Sequence, residues 1–222
     1  MIAISSPLLW YTSRASGIVS MLLLTAAMVL GIMTATRVGG GTVPRFAVAE
    51  IHRRISLLTM AFLAIHVGTT AIDTFVSVHL ISAFVPFTSS YKPAYVSLGA
   101  VAFDLLIAVS ITSLLKDRMS HAAWRTVHWI SYLAFPTAIL HNLLIGTDQR
   151  FIWMLLLTAS CVGVVSMALA WRIWAHPRPK GALTAVPSRT APSKRSKAIV
   201  TRAGETSNAN RRASSSKRRP RP

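Results

Sequence analysis

IHRRISLLTMAFLAIH, residues 51–66, is the stretch that decides how this chain is built. Between Arg54 and His66 it carries no charged residue, and the apolar run continues to about Val76. About 20 mainly apolar residues are needed to cross the hydrocarbon core of a bilayer, so His52–Val76 reads as a membrane-spanning helix with a histidine near its start and another in its second half. Four more blocks have the same character: Gly17–Ala35, Tyr95–Leu115, Arg125–Ile145 and Phe151–Trp174. The expected fold is therefore all-α, an integral membrane bundle of about five transmembrane helices. Over the 222 residues, 52% are hydrophobic, and mean hydropathy is +0.50.

Charge fills in the rest of the plan. The net charge of +18 invites a nucleic-acid reading, but its distribution argues against one. Thirteen of the 24 basic residues lie between Arg178 and Arg221, and most others sit in short gaps between apolar blocks. Arg37 and Arg45 fall between blocks one and two, with Arg53 and Arg54 just inside the second, and Lys116, Arg118 and Arg125 fall between three and four. The opposite side holds Arg14, Lys92 and Arg150. Basic residues in short loops mark the cytoplasmic face, so the N-terminus is expected outside and the C-terminus in the cytoplasm. The first block has no early basic region and no small-residue cleavage site, and reads as a retained helix.

From Pro177 onward, Pro, Ser, Thr, Ala, Arg and Lys dominate. Such a segment buries too little apolar surface to offset its chain entropy. Residues 177–222 are expected to be a disordered basic cytoplasmic tail, drawn to anionic lipid, to an acidic donor protein, or to neither. Residues 77–94 form an outer loop with an apolar tone (Phe84, Val85, Pro86, Phe87), expected at the membrane interface. The single cysteine, Cys161, excludes a disulfide framework and a cysteine-rich metal site. It reads as packing. No CxxCH is present for covalent haem attachment.

Four of the seven histidines fall in two spans: His52 and His66 in the second, His128 and His141 in the fourth. One helix separates these spans, so they run in the same direction. His52 and His128 then share a cytoplasmic-side level, and His66 and His141 an outer level about 20 Å away at 1.5 Å per residue. One imidazole from each helix at each level is the arrangement for bis-histidine haem ligation. A step of 14 residues keeps His52 and His66 on one face. In a straight helix a step of 13 puts His141 about 140° from His128. Pro136 lies between them, and a kink or tightened turn there is expected to bring His141 round. The opposing reading is four structural histidines in a non-redox membrane scaffold. Ionisable residues within spans are functional candidates by default, and pairing by depth favours haem.

Other polar residues admit two readings each. Arg53, Arg54 and Arg125 pair with haem propionates or are plain cytoplasmic anchors. Asp104, inside the third span, relays protons, braces a ligand, or makes a structural hydrogen bond. Asp73 and Asp148 read as solvated at the outer edge. His79 in the outer loop reads as a loop residue, with an acceptor metal as the lesser option. His121 and His176 read as interfacial, and Trp124, Trp129, Trp153, Trp171 and Trp174 as an interfacial belt.

The chain resembles the ferric reductase-like transmembrane domain family. The resemblance rests on IHRRISLLTMAFLAIH at 51–66, on LGAVAFDLL from Leu98 with Thr112 and Ser113 after it, and on WRTVHWISYLAF from Trp124 leading to His141 and Asn142. It covers residues 10–176, and implies two b-type haems held by His52, His66, His128 and His141. That family takes in membrane parts of ferric reductases and NADPH oxidases and the haem subunit of a methionine sulfoxide reductase system. The larger members carry a further helix at the start, and the oxidases continue into a domain for FAD and NADPH. No G-x-G-x-x-G pattern occurs here, so a separate flavoprotein, flavin or quinol is expected as electron donor. The acceptor is expected on the outer side: ferric iron, oxygen, or an extracytoplasmic redox partner. The expected location is the plasma membrane of a bacterium.

Overall fold

The computed structural model describes residues 7–36, 44–73 and 78–174. The tail from Pro177, together with His176 and Arg37, lies outside the described residues. Within them the chain is all helical. Helix α1 runs Pro7–Ala35, α2 Arg45–Ile72, α3 Pro93–Leu114, α4 His121–Trp129, α5 Ser131–Ile145 and α6 Ile152–Trp174, with short 3-10 turns at Leu80–Ala83, Lys116–Arg118 and Thr147–Arg150. Four of these helices, α1, α2, α3 and α6, are long and apolar enough to cross a membrane. The protein is an all-α membrane bundle.

Local chemistry accounts for the ends. Pro93 opens α3, where a missing N–H costs nothing. Ser120 caps α4, its hydroxyl accepting from the Ala123 N–H at 3.2 Å, the ordinary use of serine before a helix. Hydroxyls inside the spans turn back on their own helix: Thr25 donates to the Met21 carbonyl, Thr59 to Ile55 and Thr158 to Met154. These three hydroxyl hydrogens are then kept from lipid.

The fourth apolar block differs from the sequence expectation. It is two helices, and the joint lies at Ile130 rather than Pro136. The Ile130 N–H bonds the Val127 carbonyl at 2.9 Å, a tightened i→i−3 turn, and the Ser131 hydroxyl takes the His128 carbonyl at 2.7 Å. A serine hydroxyl competing for a helix carbonyl in this way loosens the ladder. Helix α5 then continues through Pro136.

Packing is led by α1 against α2 and by α3 against α5, with α6 and α5 also on α1. The core lies among α1, α5 and α6: Met21, Leu24, Met28, Phe135, Ile139, Met154, Cys161 and Val165. Polar ties cross the helices. Ser13 and Thr70 share a hydrogen bond of 2.7 Å between α1 and α2, Asn142 donates to Thr158 at 3.2 Å between α5 and α6, and Arg172 of α6 donates to the Tyr132 hydroxyl of α5. Outward, α2 exposes Ile51, Leu57, Leu58, Ile65 and Ile72, and α6 exposes Leu155, Leu156, Val162 and Met167. So much exposed apolar surface fits lipid and not water.

Candidate functional site

Two antiparallel helices, α1 and α2, position the first two histidines. His52 lies two turns into α2 and faces the C-terminal half of α1, where its Nδ1 is 2.9 Å from the Ala27 carbonyl. His66 faces the other end of α1, with Nδ1 2.7 Å from the Ser13 carbonyl. His141, on α5, faces the start of α3, with Nδ1 2.8 Å from the Tyr95 carbonyl. A carbonyl oxygen only accepts, so each of these three Nδ1 atoms carries the proton. Each Nε2 of a neutral ring then holds the free lone pair, the state in which imidazole binds a metal.

His128 is set differently. Its Nδ1 is buried and has no hydrogen-bond partner. The ring instead stacks on Trp124, one turn earlier in α4, with centroids 5.0 Å apart and planes 23° apart. Trp124, read from the sequence as interfacial, thus also packs against this histidine. The Lys116 ammonium lies 4.7 Å from the same indole.

The histidines meet in pairs. The rings of His52 and His128 have centroids 6.3 Å apart with planes at 77°. His66 and His141 line one apolar cavity of about 360 Å³, walled by Leu24, Leu63, Phe103, Leu106 and Ile139. Among the described residues no group of three or more His, Cys, Asp or Glu is placed to hold a bare metal ion; the clusters are pairs.

The polar end of the cavity departs from the sequence reading. Asp148 is not solvated: it forms an ion pair with Arg14 of α1, whose Nε donates to it at 2.7 Å, and Arg14 also lies over the Trp10 ring at 4.3 Å. Asp73 is buried, with 8% of its surface exposed, and lines the cavity beside His79. In the connection between α2 and α3, Ser82 and Tyr91 contribute to the same lining, and Phe84 packs on Phe103 at 5.4 Å. Arg53, Arg54 and Arg125 are exposed, and Arg54 pairs with Glu50 at 2.8 Å. His121 is exposed, its ring 5.7 Å from Trp124. Asp104 is half-buried, and Cys161 packs in the core.

Three glycines escaped the sequence reading. A Cβ on Gly17 would meet the His66 ring at 3.0 Å, one on Gly31 the His52 ring at 3.2 Å, and one on Gly99 the His141 ring at 2.6 Å. The signal was present, since Gly17 and Gly31 repeat the 14-residue step of His52 and His66.

Residues 8–148 match the family described as "Domain of unknown function (DUF8596)". The chain belongs to this family. The matched region contains all four paired histidines and ends before α6. The chain is also similar to the protein-methionine-sulfoxide reductase heme-binding subunit MsrQ of Caulobacter vibrioides, with 29% identity over 130 residues. That match spans 56% of this chain and 56% of the relative. No solved structure matches.

Proposed function

We propose that this protein is a haem-binding membrane subunit that carries electrons across the bilayer, with one b-type haem between His52 and His128 and another between His66 and His141. The observation that carries the reading is the pairing of four half-buried imidazoles at two depths, three of them holding Nδ1–H on a backbone carbonyl. The residues fit the group. An imidazole nitrogen lies about 2.0 Å from a bound first-row metal, which places two rings on opposite sides of one metal with centroids about 6.3 Å apart by ring geometry. His52 and His128 stand at that separation. The second pair borders a cavity with apolar walls, the lining expected around a flat hydrophobic macrocycle.

A b-type haem supplies a reversible one-electron iron couple at each level. The protein does the rest. His52 with His128, and His66 with His141, would hold the two groups and would leave no open position for substrate, so the chemistry supplied would be electron transfer alone. The 14-residue step from His52 to His66 sets the levels about 21 Å apart along α2. Helices α1, α5 and α6 bury the path in apolar side chains. Arg53, Arg54, Lys116, Arg118 and Arg125 lie near His52 or His128 along the chain, which supports reading that end as cytoplasmic and as the entry side for a flavoprotein, flavin or quinol donor. The exit side is the cavity end near His79 and the Arg14–Asp148 pair. The MsrQ similarity favours an extracytoplasmic redox partner as acceptor over ferric iron or oxygen.

A reduced-minus-oxidised absorbance spectrum of the purified chain, with haem quantified per chain, tests this. Two b-type haems per chain are expected. Replacing His52 or His128 should remove one and leave the other, and replacing His66 or His141 should do the converse. A chain without haem, or one whose haem content ignores all four replacements, returns the histidines to a structural role in a non-redox scaffold.

A further inference from the structure

The three carbonyls that receive a histidine share a detail. Ser13 is followed four residues later by Gly17, Ala27 by Gly31, and Tyr95 by Gly99. Each of these glycines is also the residue whose added Cβ would strike the bound ring. The coincidence has a physical cause. A helical side chain points back over the turn before it, so the side chain at i+4 covers the carbonyl at i. Glycine leaves that carbonyl open. Its oxygen already accepts the N–H of residue i+4 along the helix, and with no Cβ over it a second lone pair can be reached by an imidazole from outside; the Ser13 carbonyl is reached in this way even though the Ser16 hydroxyl also donates to it at 3.0 Å.

His128 has no such seat. Of the four Nδ1 atoms, that of His128 is the one without a hydrogen-bond partner.

We propose that Gly17, Gly31 and Gly99 are positioning residues: by uncovering one carbonyl each they fix the tautomer and ring direction of His66, His52 and His141, while His128 is held only by its stack on Trp124. Its role as the adjustable member of its pair rests on the haem reading; the glycine seats do not. One consequence is that the two levels are unequal. The outer pair has both rings anchored to backbone, and the inner pair has one anchored ring and one adjustable ring, at the end where a donor approaches.

The test is an imidazole N–H spectrum of the full chain, isotope-labelled at histidine and chemically reduced so that any bis-histidine haem is diamagnetic. Assignments come from removing each histidine in turn. Strongly hydrogen-bonded, slowly exchanging Nδ1–H signals are expected for His52, His66 and His141, and a weakly bonded, fast-exchanging signal for His128. Gly99→Ala should weaken the His141 signal alone, Gly17→Ala that of His66, and Gly31→Ala that of His52. Gly68→Ala and Gly163→Ala, where an added Cβ meets nothing within 4 Å, should leave all four unchanged. If Gly99→Ala fails to fold, the milder contacts at Gly17 and Gly31 carry the test. The proposal is overturned if the glycine variants fold and leave their histidine signals untouched, or if His128 proves as strongly bonded as the others. Failure of the haem reading shows separately, as missing haem absorbance in the unaltered chain, and the same N–H pattern is then read on that chain.

Discussion

Replacing Gly99 with alanine sets two effects against each other that can be measured apart. The new Cβ would stand 2.6 Å from the His141 Cε1 and 2.7 Å from its Nδ1. Ordinary contact begins near 3.4 Å, so the ring must retreat by about 0.8 Å. A retreat of that size from α3 lengthens the 2.8 Å bond to the Tyr95 carbonyl to about 3.6 Å, which is no longer a hydrogen bond. Loss of that bond costs about 1 kcal/mol, or up to about 3 kcal/mol if the N–H stays buried and unpaired. Against this, alanine in a helix interior gains about 1 kcal/mol over glycine. Net stability should therefore fall by at most about 2 kcal/mol. Haem retention should fall further, because losing the partner of a ligating imidazole typically costs about 10–100-fold in metal affinity. The assay pairs thermal unfolding in detergent with the rate of haem loss to excess apomyoglobin. Retention should follow the contacts, weakest for Gly99→Ala, then Gly17→Ala, then Gly31→Ala. Wild-type retention in Gly99→Ala, or equal loss in Gly163→Ala, would refute the reasoning.

Three further outcomes are expected. Arg14 and Asp148 are each about one-fifth exposed on their side chains, so Asp148→Asn or Arg14→Gln should each cost about 1–2 kcal/mol, well below a fully buried pair. The double variant should cost less than their sum, and strict additivity in thermal unfolding would deny the coupling. On the proposed two-haem reading, Trp124→Leu removes the stack under His128 and should broaden or shift the absorbance band of the haem held by His52 and His128 alone; an equal effect on both haems would show that the indole acts through the whole fold. Cys161 is 4% exposed and should resist a maleimide until the protein is unfolded in strong detergent, so rapid labelling of the folded chain would contradict its place in the core.

Much of the fold was legible because a bilayer leaves few choices. Backbone groups inside hydrocarbon must bond within their own segment, so long apolar blocks read directly as helices. The break at Ile130 was not legible. Pro136 was the visible breaker, yet the bundle accommodates it within α5, and the ladder opens where the Ser131 hydroxyl captures the His128 carbonyl. The ion pair of Asp148 was equally hidden, because Arg14 stands 134 residues away in sequence and both read alone as solvated edge residues. Asp73 was read as solvated for the same reason, whereas the fold buries it against the cavity.

By itself the sequence determined that the chain is an all-α membrane protein, and it singled out four histidines by their spacing in two apolar blocks. Those properties follow from hydropathy and helical periodicity, which are local along the chain. Only the tertiary structure decided what each imidazole faces. A carbonyl becomes a histidine's partner when a neighbouring helix arrives in the right register and the residue four places on has no side chain to cover it. Register between helices is set by packing across the whole bundle. Three histidines found an open carbonyl, and the fourth rests its ring on an indole instead.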